Sequence, residues 1–255
     1  MNTDYLFQLS FEDLKVSKLT YTNGNFSNSL YHFHQSQEKL IKSIALKINL
    51  IEEKDLKKIS HNFIKLYDKY IEYIKTSPIV SNLINEADLM DIHEKSKQLE
   101  PSEFVGFIVN EYCNILENEF IRDKEDNESH FDLMVDYFKN LEYIDQIPDF
   151  QKVLDFENED EIIKKYIKEK LEEPSKQYYY QIKYGPKILL ILIINCIFCS
   201  YYKPDDFRYS SEKIKNPIEY FNDKTPIVIS LKALINNMIE LYKIIPQIEF
   251  QKNYV

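Results

Sequence analysis

Glycine is scarce in this sequence, and that scarcity excludes some kinds of site. Only 3 of the 255 residues are glycine, too few for a glycine-rich loop that wraps a nucleotide phosphate. There are 9 prolines, while lysine, glutamate, isoleucine and leucine are abundant, which favours long helices over strands joined by tight turns. The composition therefore predicts an all-α protein.

Cysteine is also rare, with 3 residues at Cys113, Cys196 and Cys199, so no disulfide framework is expected. Cys196 and Cys199 have the Cys-x-x-Cys spacing, but they lie in an apolar helical run, which predicts two core thiols rather than a redox pair. The first residues have neither a basic start nor an apolar stretch of signal-peptide length. These features predict a protein of the reducing cytoplasm.

The chain lacks a long hydrophobic run. Its most apolar stretch, residues 188–198, is much shorter than the roughly 20 residues that cross a membrane, so it predicts a buried helix and no membrane partner. His32 and His34 are two residues apart on a predicted helix and therefore point to different sides. With no His-x-x-x-His spacing and no carboxylate cluster around them, the sequence predicts neither a metal nor a cofactor.

Negative charge is concentrated in one part of the chain. Residues 81–175 hold 26 acidic and 10 basic side chains, a net charge of −16. The flanking segments are mildly basic, with +2 over residues 1–80 and +4 over residues 176–255. Binding to nucleic acid depends on lysine and arginine displacing counterions from phosphates, so we expect any polyanion to dock on the flanks.

Apolar residues recur with helical periodicity and predict a bundle of five helices, at residues 5–20, 26–50, 60–76, 187–202 and 226–245. In the first helix the predicted apolar stripe consists of Leu6, Leu9, Phe11, Leu14, Val16 and Leu19. Ser60 is the expected N-cap of the third helix, and Pro186 is expected in the first turn of the fourth.

The same pattern predicts the domain organisation. Residues 1–76 and 187–255 would form one antiparallel helical bundle, and residues 77–186 would be an acidic helical insertion within it. Further helices are expected in that insertion, at residues 80–95, 101–121, 129–143 and 157–172. Whether the insertion packs onto the bundle as part of one domain is left open by the sequence.

Two segments of the chain, residues 5–76 and 187–245, contain a set of positions that match a known helical family: Phe33, His34, Gln35, Gln37, Glu38, Lys39, Lys42, His61, Asn62, Arg208 and Tyr209. Through these positions the two segments resemble the HEPN family, the nucleotide-binding domains of higher eukaryotes and prokaryotes. Ser210 stands where the family has a proline after an Arg-Tyr pair. The resemblance implies a HEPN-like bundle, closed by the helix at residues 226–245.

The resemblance also implies a chemistry to look for. HEPN ribonucleases are metal-independent and use an arginine followed a few residues later by a histidine, usually at a dimer interface. Arginine stabilises the charged transition state, and histidine moves a proton. Here Arg122 precedes His130 with seven residues between them, wider than the family spacing, and Arg208 has no histidine after it. Arg122 and His130 are thus the candidates for a drifted catalytic pair.

Other residues are candidates for binding. His34, Glu38 and Lys42 follow one another at four-residue spacing, which predicts a polar stripe serving a buried helix–helix network, with phosphate contact through Lys39 or Lys42 as the alternative. The same spacing makes Glu38 and Lys42 a predicted surface ion pair.

Three further candidates complete the predicted site. Because His61 follows the predicted N-cap Ser60, it is expected to lie at a helix start. Arg208 followed by Tyr209 suits a helix-to-loop junction, where an arginine can bind a carboxylate or a phosphate through two hydrogen bonds.

Three functions are therefore expected. The first is a non-catalytic HEPN-like protein that binds a nucleotide, an RNA or a protein, dimerises with itself and belongs to a toxin–antitoxin or phage-defence system, with an antitoxin or nucleotidyltransferase as a further partner. The second is a metal-independent endoribonuclease toxin, which would be favoured by Arg208 lying within reach of His34 or His61 in an open cleft. The third is an acidic interaction module that mimics nucleic acid.

Overall fold

The structure is a computed structural model that describes residues 3–59, 62–76, 94–116, 172–210 and 214–247. Within these ranges the regular structure is helical and no strand occurs, which confirms the all-α class. The helices are α1 (Thr3–Thr22), α2 (Phe26–Lys47), α3 (Leu56–Ile59), α4 (Phe63–Thr76), α5 (Pro101–Leu116), α6 (Glu172–Tyr201), α7 (Pro217–Tyr220) and α8 (Pro226–Ile244). Single 3₁₀ turns lie at Glu53–Asp55, Pro204–Phe207 and Ile245–Gln247.

The turn between α1 and α2 is set by glycine and asparagine. Gly24 has a φ of +72°, in the left-handed region that a residue without a Cβ enters readily. Its N–H donates to Tyr21 O at 3.0 Å, and the N–H of Asn25 donates to Thr20 O at 2.9 Å, a Schellman cap. Asn25 is also the N-cap of α2, because its side chain accepts a hydrogen bond from Asn28 N. The two helices therefore reverse direction within three residues.

A second left-handed residue ends α2 earlier than the sequence predicts. Asn49 has a φ of +58°, and Leu50 N donates back to Ala45 O at 2.8 Å. The predicted end at residue 50 is therefore wrong, since α2 ends at Lys47. The next long helix begins at Phe63 rather than at residue 60. Ser60, the predicted N-cap, lies outside the described residues.

The longest described helix, α6, begins earlier in the chain than the sequence predicts. α6 begins at Glu172 and has 30 residues, so the predicted start at residue 187 is wrong and Pro186 lies inside the helix. Proline removes one backbone hydrogen bond from a helix. On either side of it, Tyr184 and most residues from Ile188 to Cys199 are buried, and this packing offsets the lost bond.

The α1–α2 contact is lined by serine rather than by the predicted apolar stripe. α1 buries Leu6, Ser10, Leu14 and Ser17, whereas Val16 and Leu19 face outward with Leu19 62% exposed. The Ser10 hydroxyl donates to Ser36 O at 2.7 Å, and Ser17 and Ser29 each donate to the other's carbonyl at 2.8 Å. Small side chains let the two backbones approach, so α1 turns its serine face toward α2 and its leucine Leu19 toward solvent.

Tyr242 on α8 packs against the serines at the α1–α2 contact. The Tyr242 hydroxyl is hydrogen bonded to the hydroxyl of Ser10 and lies 3.1 Å from that of Ser36. Its ring packs at 5.1 Å between centroids against both Phe7 and Phe11. α8 is thereby fixed to α1 and α2 at once.

α2 is the central helix of the described bundle, in contact with α1, α6 and α8. α4 packs on α6, and α5 packs on both α6 and α8. α5 belongs to the segment predicted as an insertion, and it buries Phe104 against the core with its ring stacked on Tyr201 at 3.9 Å. This part of the segment therefore packs onto the bundle.

Two further findings concern apolar helices. None of the described helices combines the length and the hydropathy needed to span a bilayer. Cys196 and Cys199 are buried in α6, and burial raises the pKa of both thiols well above its ordinary value. Both are core thiols, as their apolar surroundings predict.

Candidate functional site

A pocket of about 450 Å³ opens where the end of α6 meets the first half of α2. The side chains around it come from α2, from the last turn of α6 and from the 3₁₀ turn that follows. They are Tyr31, Gln35, Cys199, Ser200, Lys203, Pro204, Asp205, Arg208 and Tyr209. Two of the residues predicted to bind a ligand, Arg208 and Tyr209, therefore share one pocket.

Local sequence explains how Arg208 reaches this position. Pro204 begins the 3₁₀ turn. The N–H of Lys203 donates to the carboxylate of Asp206 at 3.1 Å, and this hydrogen bond fixes the start of the turn. Phe207 is fully buried, and its carbonyl accepts a hydrogen bond from the hydroxyl of Ser27 on α2. Because this anchor precedes it directly, Arg208 emerges beside α2 with its side chain at the surface.

Aromatic rings hold the guanidinium of Arg208. Its carbon lies 4.6 Å from the centroid of the Tyr31 ring and 5.7 Å from that of Tyr209. A planar guanidinium can stack on an aromatic face while its N–H groups stay directed at a ligand. Within the described ranges no carboxylate forms an ion pair with Arg208 or Lys203, so both cations keep their charge available to the pocket.

The electrostatics of the pocket favour an anion of limited size. Lys203 and Arg208 contribute two positive charges and Asp205 one negative charge. Gln35 adds an amide that can donate a hydrogen bond, while the Ser200 hydroxyl already donates to Cys196 O at 2.7 Å. A phosphate group matches this set, because it accepts hydrogen bonds from a guanidinium and from neutral donors together.

His34 lies behind the pocket and not in it. Its side chain is completely buried among Phe63, Phe198 and Phe207, and its Nε2–H donates to Tyr202 O at 2.8 Å. This hydrogen bond joins α2 to the end of α6, as the predicted helix–helix role requires. With no exposed surface, His34 cannot exchange a proton with a ligand in an open cleft.

Glu38 and Lys42 form an ion pair at 2.7 Å with side chains only 9% and 12% exposed. The prediction of a surface pair is therefore wrong. The reason is the position of Phe63 on α4, whose ring lies 5.6 Å below the Lys42 ammonium. Lys42 thus supports the packing of α2 on α4.

Lys39 faces the other side of α2, where α1 passes. Its ammonium donates to Asp13 Oδ2, while the other carboxylate oxygen of Asp13 lies 3.1 Å from His32 Nδ1. Burial raises the pKa of Asp13, but the hydrogen bonds from His32 and Lys39 outweigh it, so the pKa stays below its ordinary value. Lys39 is therefore tied to a carboxylate and does not line the pocket.

The remaining predicted residues lie outside the described parts of the chain. Arg122 and His130, the candidate catalytic pair, and His61 are in this group. In the ranges that are described, no three or more histidine, cysteine, aspartate and glutamate side chains come together as a metal site would need.

Five residues of the pocket were not marked by the sequence: Tyr31, Ser200, Lys203, Pro204 and Asp205. Tyr31 precedes Gln35, one of the positions quoted for the resemblance, by one helical turn, so helical geometry places both on the same face. Ser200 and Lys203 carry no such signal, because their place depends on where α6 ends.

Comparisons with known proteins add no assignment. Neither the protein-family models nor the curated proteins nor the solved structures include a match to this chain. The HEPN resemblance therefore stays a prediction that rests on the residues quoted above.

Proposed function

We propose that this chain is a HEPN-like protein that binds the phosphate of a nucleotide or of single-stranded RNA in the pocket at Arg208, without cleaving it. The observation that supports this proposal is the Arg208 guanidinium, which is stacked on Tyr31 at 4.6 Å and has no carboxylate partner among the described residues. An arginine that serves only to anchor the fold normally pairs with a carboxylate or a backbone carbonyl.

The aromatic walls of the pocket suit a nucleotide better than a free phosphate. Tyr209 is 59% exposed beside Arg208. An exposed tyrosine ring next to an arginine offers a surface on which a nucleobase can stack. The pocket also lies outside the acidic stretch, on the mildly basic C-terminal flank where the charge distribution directs a polyanion.

The proposal that the protein does not cleave its ligand rests on the burial of His34. A ribonuclease needs a proton-transfer group beside the bound phosphate, and His34 does not provide one because its side chain is completely buried. Homodimerisation and a toxin–antitoxin or phage-defence setting follow from the resemblance alone. An acidic, nucleic-acid-mimicking module is the third candidate, because residues 81–175 have a net charge of −16.

A direct test uses Arg208 variants and two ligands. Titrations with adenosine monophosphate and with a short, fluorescently labelled oligouridylate are expected to show binding that Arg208→Gln weakens about tenfold or more, as lost arginine–phosphate contacts do. Arg208→Lys keeps the charge but loses the planar fork, so it should recover only part of the affinity. Lys232→Gln, which removes an exposed cation from α8, is the matched control.

The outcomes separate the three functions. Equal binding by wild-type protein and Arg208→Gln would overturn the pocket assignment. Cleavage of the oligouridylate by purified protein without metal would favour the ribonuclease. Binding to a polycation such as polylysine, with none to either nucleotide ligand, would favour the acidic module.

A further inference from the structure

His32 lies in a small polar cluster between α1 and α2. Its Nδ1 is 3.1 Å from Asp13 Oδ1, and Lys39 donates to the other oxygen of the same carboxylate. In neutral His32 the Nδ1–H donates to Asp13, so the ring accepts its second proton at Nε2. The side chain is 29% exposed, which gives that proton a route from solvent.

Tyr31 connects this cluster to the pocket. The rings of His32 and Tyr31 meet edge to face, with centroids 5.2 Å apart and planes at 81°. The same Tyr31 ring carries Arg208 at 4.6 Å. The imidazole and the guanidinium are therefore separated by at most about 10 Å, close to the screening length at physiological salt.

We propose that His32, held by Asp13, is a proton-sensitive positioning residue for the Arg208 pocket, and that its protonation strengthens the binding of an anionic ligand there. This inference rests on the function proposed above. Protonated His32 adds a positive charge behind Tyr31, and this charge attracts an anion held at Arg208.

The direction of the effect follows from the charges around His32. Asp13 on α1 faces its Nδ1, Lys39 on α2 faces Asp13, and Lys203, Arg208 and Asp205 lie beyond Tyr31. Between about pH 8 and pH 5.5, carboxylates, lysines and arginines as classes keep their charge, and histidine gains one. A bound anion lowers the positive potential in the pocket, so anion binding and His32 protonation favour each other.

The size of the coupling follows from Coulomb's law. One charge acting on another across about 10 Å, at an effective dielectric constant between those of water and a protein surface, changes an affinity about two- to tenfold. The phosphate of a nucleoside monophosphate itself titrates in this pH range, so it would obscure the effect. The probe is therefore an oligouridylate without terminal phosphates, whose phosphodiester charges stay constant, with inorganic sulfate as a second probe.

The experiment measures binding at pH 8 and pH 5.5 at fixed ionic strength. Wild-type protein is expected to bind the oligouridylate about two- to tenfold more tightly at pH 5.5. His32→Gln keeps an amide that can donate to Asp13 but takes up no proton, so it should match wild type at pH 8 and lose the gain at pH 5.5. His93→Gln, a second histidine variant, should keep the gain.

Nuclear magnetic resonance provides an independent readout. Because the sequence contains only two arginines, Arg122 and Arg208, a sample labelled at arginine gives two side-chain Nε–Hε signals, which Arg208→Gln assigns. Sulfate should shift the Arg208 signal at lower concentration at pH 5.5 than at pH 8 in wild type, and at similar concentrations in His32→Gln.

Failure of this inference can be told from failure of the proposed function. If no probe moves the Arg208 signal at either pH, the phosphate pocket itself is refuted. If Arg208-dependent binding is present but His32→Gln retains the full pH gain, the role of His32 is refuted alone. A His32→Gln affinity that is lower by the same factor at both pH values shows a purely structural role and also overturns the inference. His32→Asn, checked for folding by circular dichroism, repeats the test with a second non-titrating side chain.

Discussion

The guanidinium carbon of Arg208 lies 4.6 Å from the centroid of the Tyr31 ring. This contact joins a residue that follows α6 to the first half of α2, across a separation of 177 positions in the sequence. Phe207 fixes the backbone in the core one residue earlier, and Tyr31 then fixes the direction of the side chain. The pocket therefore has a preorganised cation, which lowers the entropic cost of binding.

Replacement of Tyr31 tests this preorganisation. Tyr31→Leu removes the aromatic face, and an exposed cation–π contact contributes about 0.5–1 kcal/mol, so affinity for the oligouridylate should fall about two- to fivefold. Tyr31→Phe keeps the face and should retain wild-type affinity within about twofold. Titration calorimetry or fluorescence anisotropy measures both. A Tyr31→Phe variant as weak as Tyr31→Leu would assign the effect to the hydroxyl group instead.

Periodicity predicted the parts of the fold that depend on local sequence. α8 at Pro226–Ile244 and the start of α2 at Phe26 lie where the apolar periodicity places them, to within one residue. The rest depended on tertiary packing. The sequence pattern of α1 does not show that Ser10 and Ser17 are buried. These serines stabilise the fold through hydrogen bonds to α2 and by letting the two backbones approach closely, and both effects depend on the partner helix.

The candidate site was predictable to a similar extent. The sequence marked Arg208 and Tyr209 as an arginine–aromatic pair at a helix-to-loop junction, and both line the pocket. It placed His32 and His34 on different sides of the helix and assigned only His34 to a buried helix–helix network, because nothing in the local pattern shows that Asp13 on α1 lies beside His32. Packing against Phe198 and Phe207 buries His34, whereas Asp13 on α1 holds His32 near the surface.

Alkaline pH should destabilise the protein through its buried tyrosines. Burial raises the pKa of Tyr70 well above its ordinary value and that of Tyr67 to about 12. A raised pKa in the folded state gives stability that is complete below the unfolded value, near 10, and is lost as the pH rises further. Each such tyrosine should lower the free energy of unfolding by about 1.4 kcal/mol per pH unit above that value.

The Tyr70→Phe variant isolates one tyrosine. It removes the hydroxyl that donates to Ile41 O at 2.8 Å, so it should lose about 1 kcal/mol at pH 8. Between pH 10 and 11 its unfolding free energy should fall less steeply than that of wild type. Urea unfolding followed by circular dichroism measures the slopes, with Tyr5→Phe at an exposed position as the control. Parallel slopes for wild type and Tyr70→Phe would contradict the prediction.

Acid should weaken the α1–α2 contact through Asp13. Burial raises its pKa, but the hydrogen bonds from His32 and Lys39 leave it below the ordinary value. A lowered folded pKa gives stability that is present above the unfolded value, about 3.9, and is lost as the pH falls through the folded one. Asp13→Asn should therefore cost about 1 kcal/mol at pH 7.

The cost of Asp13→Asn should begin to shrink as the pH falls through about 3.9 and approach zero only below the lowered folded pKa of Asp13, where the folded wild-type carboxyl is protonated as well. Urea unfolding at pH 7 and at successively lower pH tests this. Glu12→Gln is the matched control, since the exposed Glu12–Lys15 pair at 2.7 Å should contribute less than about 0.5 kcal/mol. A cost that persists undiminished at low pH would show that shape and not charge makes Asp13 important.

Two buried amides lie where apolar side chains would be more stable. Asn195 on α6 and Gln37 on α2 are fully buried, and neither amide meets a hydrogen-bond partner among the described residues. Phe33 and Phe198 pack at 5.6 Å between ring centroids, and Gln37 and Asn195 each lie about one turn along their own helix from this pair. Buried amides without partners cost about 1–3 kcal/mol each.

Replacement by apolar residues of similar shape should therefore raise stability. Asn195→Leu and Gln37→Met are each expected to add about 1 kcal/mol to the free energy of unfolding and to raise the melting temperature, as measured by scanning calorimetry. Asn28→Leu, at an exposed position of α2, controls for the added apolar surface. If the two amides bond to each other in solution, each single variant instead leaves one amide unsatisfied. Both would then lower the melting temperature, and the double variant would recover most of the loss.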